Sequence, residues 1–347
     1  MPNVSSSSKA HIPRPNWPIP STGARQVSMR ERKHTMTSVQ FGWVLPGRPN
    51  ERGNIAQPKF LAHLQQGLRL AVKSFHSVWS HDHLQFMNDQ ILESWTMLTY
   101  LAPLYPQLQF GSLVLSQSYR NPALLAKMAA TFQYLSNGRL ILGLGAGWHE
   151  EEYKAYGYAF PPPHKRVAQL EEALQIIRAL WQNSGVTIQG KHYQILEAHC
   201  EPRPVPVPPI VVGGARPQML NIVARHADWW SADRPGLATY RQQVVDCERA
   251  CLAIQRDPLS LRRTWFGGCI CRATEDALRP LRATYPDEYG LVGTVSQVKE
   301  RIQEFIDLGV SYFMLNTGDF PDLTTLELLV DEVLPSFQHT EYQASTL

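Results

Sequence analysis

The sequence has 347 residues, of which 44% are hydrophobic and 18% are charged, and its formal net charge is +3. This length and hydrophobic content fit one large globular domain with a sizeable core, and they exclude a wholly disordered chain. A basic nucleic-acid-binding domain is also excluded, because the positive excess is concentrated in the first 35 residues.

Residues 1–35 differ in composition from the rest of the chain. They carry six basic side chains against Glu31 alone, and the total of +3 less this +5 leaves −2 for the remainder. Four prolines occur from Pro13 to Pro20, a density that neither a helix nor a packed strand tolerates. We therefore predict a disordered basic extension over residues 1–35, one folded domain over 36–338 and a short tail over 339–347.

The cysteines and the apolar runs indicate the cellular compartment of the protein. The five cysteines are an odd number and form no C-x-x-C pair, so we interpret them as reduced structural thiols. The N-terminus has no apolar signal core, and no run of 18 or more apolar residues occurs. These observations predict a cytoplasmic protein with no membrane partner.

From residue 39 onward, short apolar runs alternate with helical segments, a pattern typical of repeated βα units around a parallel sheet. We count eight pairs, which predicts an α/β fold of the (β/α)8 barrel type. Most of the predicted strands are continuous apolar runs, as expected for strands buried on both faces. They cover residues 39–45, 77–81, 109–115, 140–145, 210–213, 228–232, 265–271 and 312–316.

The helix after the fourth strand shows the repeat clearly, because Leu170, Leu174, Ile177 and Trp181 recur on one face at the helical period. Two longer segments interrupt the alternation, residues 147–163 and residues 185–209. The second contains a predicted hairpin over residues 186–193 around Gly190. Insertions of this kind in a barrel usually cover its active mouth.

Residues just past the C-terminal ends of barrel strands share one rim, where active sites of this fold lie. Polar or glycine-rich clusters follow the second strand (79–83), the third (116–122), the fourth (143–148) and the fifth (213–216). Glycines there let backbone approach a ligand, and Gly213 and Gly214 suit a phosphate, with Arg216 as a counter-charge. The alternative interpretation is that these glycines only relieve crowding in tight turns.

Several ordered motifs together resemble the luciferase-like monooxygenase family, and within it the branch that uses the 5-deazaflavin coenzyme F420. The similarity extends over about residues 38 to 335. It is carried by Tyr119-Arg120-Asn121-Pro122, residues 143–148, Glu152-Tyr153, Tyr156-Gly157, residues 170–174, Phe41-Gly42, Asp82-His83, residues 211–214 and Ala227-Asp228-Trp229.

The resemblance implies a barrel that holds F420, or FMN as the alternative, and transfers hydride between that cofactor and a small organic substrate. It implies His83 and Asp82 as catalytic residues near the ring, with His83 as proton donor or base. A hydrogen-bonded structural histidine is the alternative for His83. The implied cofactor contacts are Asn121, Gly145, Ala146, Gly147, Gly213, Gly214 and Ala215. No metal is implied.

Two other function classes remain open at this point. His81 and His83 at a strand end could ligate zinc in a metal-dependent hydrolase, although the further ligands expected later in the chain are replaced by Ala146, Gly214 and Ala232. A barrel that binds a flavin without turnover is the other class. We further expect a homodimer that buries part of the second to fourth helices, and we do not predict the substrate, because His81 and Leu84 depart from the residues commoner in the family.

Overall fold

A computed structural model describes residues 37–48, 56–86 and 89–337, together with the backbone of Glu341 and Tyr342. The predicted extension, residues 1–35, lies outside the described residues. The predicted tail over 339–347 also lies outside them, except for the backbone of Glu341–Tyr342, which pairs antiparallel with Thr37–Ser38.

Eight parallel strands form a closed barrel, as the sequence predicts. They pair in the order β6, β5, β4, β3, β2, β1, β8, β7, and β7 also pairs with β6, which closes the cylinder. All eight predicted strands are confirmed, with ends that differ by up to three residues. The strands are β1 Gln40–Val44, β2 Ser77–Ser80, β3 Gln109–Ser112, β4 Leu140–Gly145, β5 Ile210–Gly213, β6 Trp229–Asp233, β7 Arg262–Arg272 and β8 Val310–Thr317.

One helix packs outside the barrel after each strand. Proline stands in the first turn of α1, α3, α4 and α5, where its missing N–H removes no helical hydrogen bond. The helices are α1 Gln57–Ala71, α2 Ser94–Leu101, α3 Pro122–Leu135, α4 Pro163–Gln182, α5 Pro217–His226, α6 Leu237–Leu252, α7 Val295–Asp307 and α8 Thr324–Leu328. Among the described residues, no helix combines the length and the apolar character needed to span a membrane.

Additional elements decorate this repeat. Two short helices, Glu150–Ala155 and Glu275–Leu278, follow β4 and β7. The predicted hairpin is present, with strands Val186–Gln189 and Gln194–Ala198, so it extends five residues beyond the predicted range. A ninth parallel strand, Gly290–Thr294, pairs with the last part of β7 and was not predicted. Past β3, a cis peptide joins Leu113 to Val114, and Leu115–Ser116 then pairs with β4.

Large side chains fill the lower and middle parts of the barrel interior. Trp79 is fully buried and passes between Gly42 and Gly111, where an added methyl group would approach its ring to 2.2 and 2.3 Å. Below it, the Arg262 guanidinium lies 4.7 Å from the ring centroids of both Trp229 and Tyr312. Burial lowers the pKa of Arg262 to about 10. These side chains fill the interior below the C-terminal ends of the strands.

Candidate active site

The predicted rim segments converge on the C-terminal mouth. An added methyl group at Gly145 would lie 2.7 Å from Val114, and one at Gly213 would lie 3.5 Å from the same side chain, so the ends of β4 and β5 are adjacent. His83, which follows β2, lies beside the segment that follows β4, with its imidazole centroid 5.7 Å from the ring of Trp148. The structure thus brings together strand ends that are far apart in sequence.

Asp82 is buried in an ion-pair network that joins the ends of β2 and β3. Its carboxylate accepts two hydrogen bonds from Arg120, at 2.9 and 3.0 Å, and one from the Ser116 amide at 2.9 Å. Arg120 also donates to Glu93 at 2.5 Å, and Glu93 caps the first turn of α2. Since both carboxylate oxygens are occupied, these contacts favour a structural role over the catalytic role predicted for Asp82.

His83 is paired with a carboxylate that sequence reasoning did not select. Its Nδ1 lies 3.1 Å from Oε1 of Glu152, and Oε2 of Glu152 accepts a hydrogen bond from the Leu84 amide at 2.9 Å. Burial alone would raise the pKa of Glu152, but hydrogen bonds from His83 and Leu84, together with the nearby Tyr119 hydroxyl, lower it overall. Glu152 is therefore an ionised partner for the His83 ring at neutral pH.

Three aromatic rings surround the exposed side of His83. Phe86 and Trp148 contact it edge to face, each at a centroid distance of 5.7 Å, and His149 lies 6.1 Å away. His149 stacks on Phe86 at 4.7 Å. Trp148 is 64% exposed, an unusual degree for tryptophan. These residues give the mouth an apolar, aromatic wall beside its imidazole.

His81 is a neutral histidine turned into the top of the barrel. Its Nδ1 lies 2.9 Å from the Leu113 carbonyl oxygen, and its ring packs edge to face on Phe266 at 5.3 Å. Burial lowers the pKa of His81 to about 4, so the ring is uncharged at neutral pH and its Nδ1 donates to Leu113.

The hydrolase interpretation needs a cluster of metal ligands around His81 and His83. Each ring already uses Nδ1, for the Leu113 carbonyl and for Glu152, and the two ring centroids lie 6.4 Å apart. No group of three or more His, Cys, Asp or Glu residues suited to a metal ion occurs among the described residues. The described part of the chain therefore does not assemble the site that this interpretation requires.

Glycine is present at the rim positions for different physical reasons. At Gly145 and Gly147 the protein itself leaves no room for a side chain, because an added methyl group would meet Val114 at 2.7 Å and the Tyr153 hydroxyl at 1.8 Å. Gly214 has a φ of +119°, which favours glycine. At Gly213, by contrast, an added methyl group would reach only ordinary contact distance, 3.5 Å, from Val114. A ligand lying against this strand end would explain Gly213, whereas the protein's own packing does not.

The other predicted cofactor contacts have local roles. Asn121 is exposed, and its Oδ1 caps α3 by accepting hydrogen bonds from the Ala123 and Leu124 amides at 2.9 and 3.4 Å. This capping role accounts for an asparagine at position 121 without any contact to a ligand. Ala146 and Ala215 are partly buried against the core at the ends of β4 and β5.

The hairpin insertion reaches the mouth, as predicted for an insertion of this barrel. Glu172 on α4 accepts hydrogen bonds from the amides of Lys191, His192 and Tyr193, which fixes the hairpin turn. The Tyr193 hydroxyl then donates to Oε1 of Gln117 at 2.7 Å. Because the Gln117 amide donates to the Gly145 carbonyl oxygen, the hairpin is anchored to the same strand end that forms the rim.

Comparison with known proteins places this mouth in context. An F420-dependent glucose-6-phosphate dehydrogenase of Amycolatopsis mediterranei is 30% identical over 169 residues, which are 48% of this chain and 51% of that protein. The chain thus spans about half the length of this curated relative.

Solved structures share the whole fold at lower identity. An F420-dependent secondary alcohol dehydrogenase bound to an F420–acetone adduct superposes with a TM-score of 0.73 at 18% identity, covering 87% of this chain and 99% of that one. The oxygenating constituent of 3,6-diketocamphane monooxygenase from Pseudomonas putida, bound to FMN, gives 0.71 at 16% identity, covering 87% and 99%.

The family model described as luciferase-like monooxygenase matches residues 39–289, which include β1 to β7 and every rim residue discussed above. The chain therefore belongs to the luciferase-like monooxygenase family, a family of oxidoreductases.

Proposed function

We propose that the protein binds coenzyme F420, with FMN as the alternative, and transfers hydride between this cofactor and a small organic substrate. The observation that carries the proposal is the convergence of Gly213, a glycine that internal packing does not require, with His83 at one mouth. The F420-dependent relative and the F420-bound fold neighbour support the choice of cofactor. The FMN-bound neighbour supports the alternative.

The residues of the mouth fit a flat ring with a phosphate tail. Val114 forms an apolar floor between Gly145 and Gly213, and glycine and alanine occupy the upper ends of β4 and β5. Gly214 and Ala215 lead into α5, whose N-terminal amides and positive dipole end favour a phosphate. When bound, the cofactor supplies the hydride donor or acceptor.

His83 exchanges the proton that accompanies the hydride, accepting it in oxidation and supplying it in reduction. When a hydroxyl-bearing substrate is oxidised to a carbonyl, the carbon loses a hydride to the cofactor and the oxygen loses a proton to the imidazole. In the reverse direction the imidazolium returns that proton to the oxygen. His81 is poorly suited to this exchange, since burial keeps it neutral and its Nδ1 is committed to Leu113. The aromatic wall of Phe86, Trp148 and His149 keeps bulk water away from the reacting carbon on its side of the mouth.

Cofactor titration tests the proposal directly. Purified protein is titrated with F420 and with FMN separately while cofactor fluorescence is followed, and we expect saturable binding of one of them. His83→Ala should retain binding within about threefold and lose turnover on the order of 100-fold, the usual range for a general acid or base. Failure of both cofactors to bind refutes the proposal, and binding without turnover of any alcohol or carbonyl compound supports the non-catalytic barrel instead.

We also propose that the protein is a homodimer. Five large hydrophobic side chains on and beside the second and third helices are more than half exposed: Tyr100 57%, Leu104 51%, Leu124 55%, Tyr134 67% and Leu135 77%. Exposed apolar side chains on neighbouring helices would supply the apolar area of an interface between subunits. Light scattering of the native protein should give twice the chain mass, and Leu135→Asp should shift it toward the monomer. A native monomer at micromolar concentration contradicts this assignment.

A further inference from the structure

We infer that Glu152 is a positioning residue for His83: its carboxylate orients the imidazole and holds a proton on Nδ1, so that Nε2 is the ring nitrogen that exchanges protons at the mouth. The inference rests on the proposed role of His83. It adds a residue from the helix Glu150–Ala155, which supplies no other part of the proposed chemistry.

The first argument is geometric. Both oxygens of Glu152 are directed at the His83–Leu84 segment, Oε1 to the imidazole at 3.1 Å and Oε2 to the Leu84 amide at 2.9 Å. The two contacts hold the carboxylate from both ends, so the ring and the backbone that carries it are positioned by one group. The Glu152 side chain is only 3% exposed and that of His83 16%, which limits competition from water.

The second argument concerns the proton on the ring. The Leu84 amide can only donate, so Oε2 of Glu152 must accept. Because Glu152 is ionised, Oε1 has no proton to give, and Nδ1 of His83 must be the donor in their hydrogen bond. The neutral ring therefore has its lone pair on Nε2. This is the arrangement in which a carboxylate fixes the tautomer of a histidine base.

The titratable groups near His83 and Glu152 leave the proton on Nδ1 of His83. The titratable groups around the pair are Tyr119, Tyr153, Asp82, His81 and His149. Burial and the adjacent carboxylate raise the pKa of Tyr119, so its hydroxyl stays protonated beside Glu152, although it makes no hydrogen bond of normal geometry with any described residue. Asp82 is already neutralised by Arg120. None of these groups supplies a competing acceptor for the Nδ1 proton.

A conservative substitution reverses the tautomer. In Glu152→Gln, the amide oxygen can still accept from Leu84, but the amide nitrogen then faces Nδ1 as a donor. His83 would have to accept through Nδ1 and keep its proton on Nε2, where it cannot act as a base. Glu151→Gln is the matched control, because Glu151 lies on the same helix turn and is exposed.

The decisive measurement is long-range ¹H–¹⁵N NMR of the histidine rings in cofactor-free protein, with His83→Gln used to assign the His83 signals. In the wild type above pH 7.5, ring ¹⁵N shifts should place the proton on Nδ1 of His83, and in Glu152→Gln they should place it on Nε2. In turnover assays, Glu152→Gln should lower kcat on the order of 100-fold with KM within about threefold. The pH profile of turnover should also differ from that of the wild type, since a negative charge beside the imidazole is lost.

The outcomes separate this inference from the proposed function. A wild-type His83 protonated on Nε2 overturns the inference whether or not Glu152→Gln folds, and so does a Glu152→Gln enzyme with wild-type kcat and pH profile. If the NMR result is as expected but neither F420 nor FMN binds, the positioning by Glu152 stands and the proposed function fails. Glu151→Gln should match the wild type in every readout.

Discussion

The buried carboxylate of Asp82 allows a test that separates a structural role from a catalytic one. Asp82→Ala removes the acceptor of three hydrogen bonds and leaves the Arg120 guanidinium, whose side chain is 11% exposed, with Glu93 as its remaining carboxylate. Breaking a buried ion pair from one side costs about 3 to 5 kcal/mol, and the surviving contact to the half-exposed Glu93 places the expected loss at about 3 kcal/mol.

Urea unfolding followed by far-ultraviolet circular dichroism measures this loss. With an m value of about 3 kcal/mol/M, the midpoint should fall by about 1 M. Asp82→Ala combined with Arg120→Ala should be less destabilised than the sum of the two single variants by about 2 kcal/mol, because the double variant leaves no buried charge unpaired and Glu93, which loses Arg120, is 37% exposed.

The matched variant Asp82→Asn tests the catalytic alternative. It is nearly isosteric and still accepts from the Ser116 amide, so it should lose less stability than Asp82→Ala and should retain turnover within about tenfold at a temperature where it is folded. Our reasoning is refuted if Asp82→Asn is as stable as the wild type and yet loses turnover by 1,000-fold or more. That result would restore the catalytic role that the sequence predicts for Asp82.

Three further expectations follow from the same mouth. Gly213→Ala should weaken cofactor binding at least tenfold with a small change in stability, because the added methyl group meets only ordinary contacts within the protein. Gly147→Ala should mainly destabilise the protein, because its φ of +76° disfavours any side chain. Equal cofactor affinity in Gly213→Ala and the wild type would contradict a ligand lying against the end of β5. Burial lowers the folded-state pKa of His81 to about 4 from an unfolded value near 6.5, so the unfolded state binds more protons as the pH falls. The free energy of unfolding should therefore fall by about 3 kcal/mol as the pH drops from 6.5 to 4. Urea titrations should show a smaller pH dependence in His81→Asn, and an unchanged dependence argues against a neutral buried ring. Trp148 is 64% exposed beside His83, so cofactor binding should change its fluorescence emission. Trp148→Phe should remove most of this tryptophan signal change and leave the Kd measured by cofactor fluorescence within about threefold. A signal change of wild-type size in Trp148→Phe would place the ligand elsewhere.

The barrel could be predicted from sequence because parallel strands buried on both faces leave continuous apolar runs. The strand Gly290–Thr294 left no such signal, since it contains two glycines and pairs only with the end of β7. Three of the five residues in this strand are also partly exposed on the same side, which weakens the apolar pattern further.

The candidate site was predictable in position but not in chemistry. Chain order alone places residues after β2, β4 and β5 on one rim, so His83 and Gly213 could be selected. Arg120 could not be predicted as the partner of Asp82, because it lies 38 residues away and a salt bridge leaves no pattern in sequence. Glu152 was hidden in a run of three glutamates that is typical of a solvated helix, and only the rotation of that helix distinguishes the one buried carboxylate.

The floor of the barrel has a consequence for the order of events. Arg262 between Trp229 and Tyr312, with Trp79 above them, fills the lower part of the cylinder. If a cofactor and a substrate both enter from the C-terminal mouth and one lies deeper than the other, we expect the deeper molecule to bind first and to leave last.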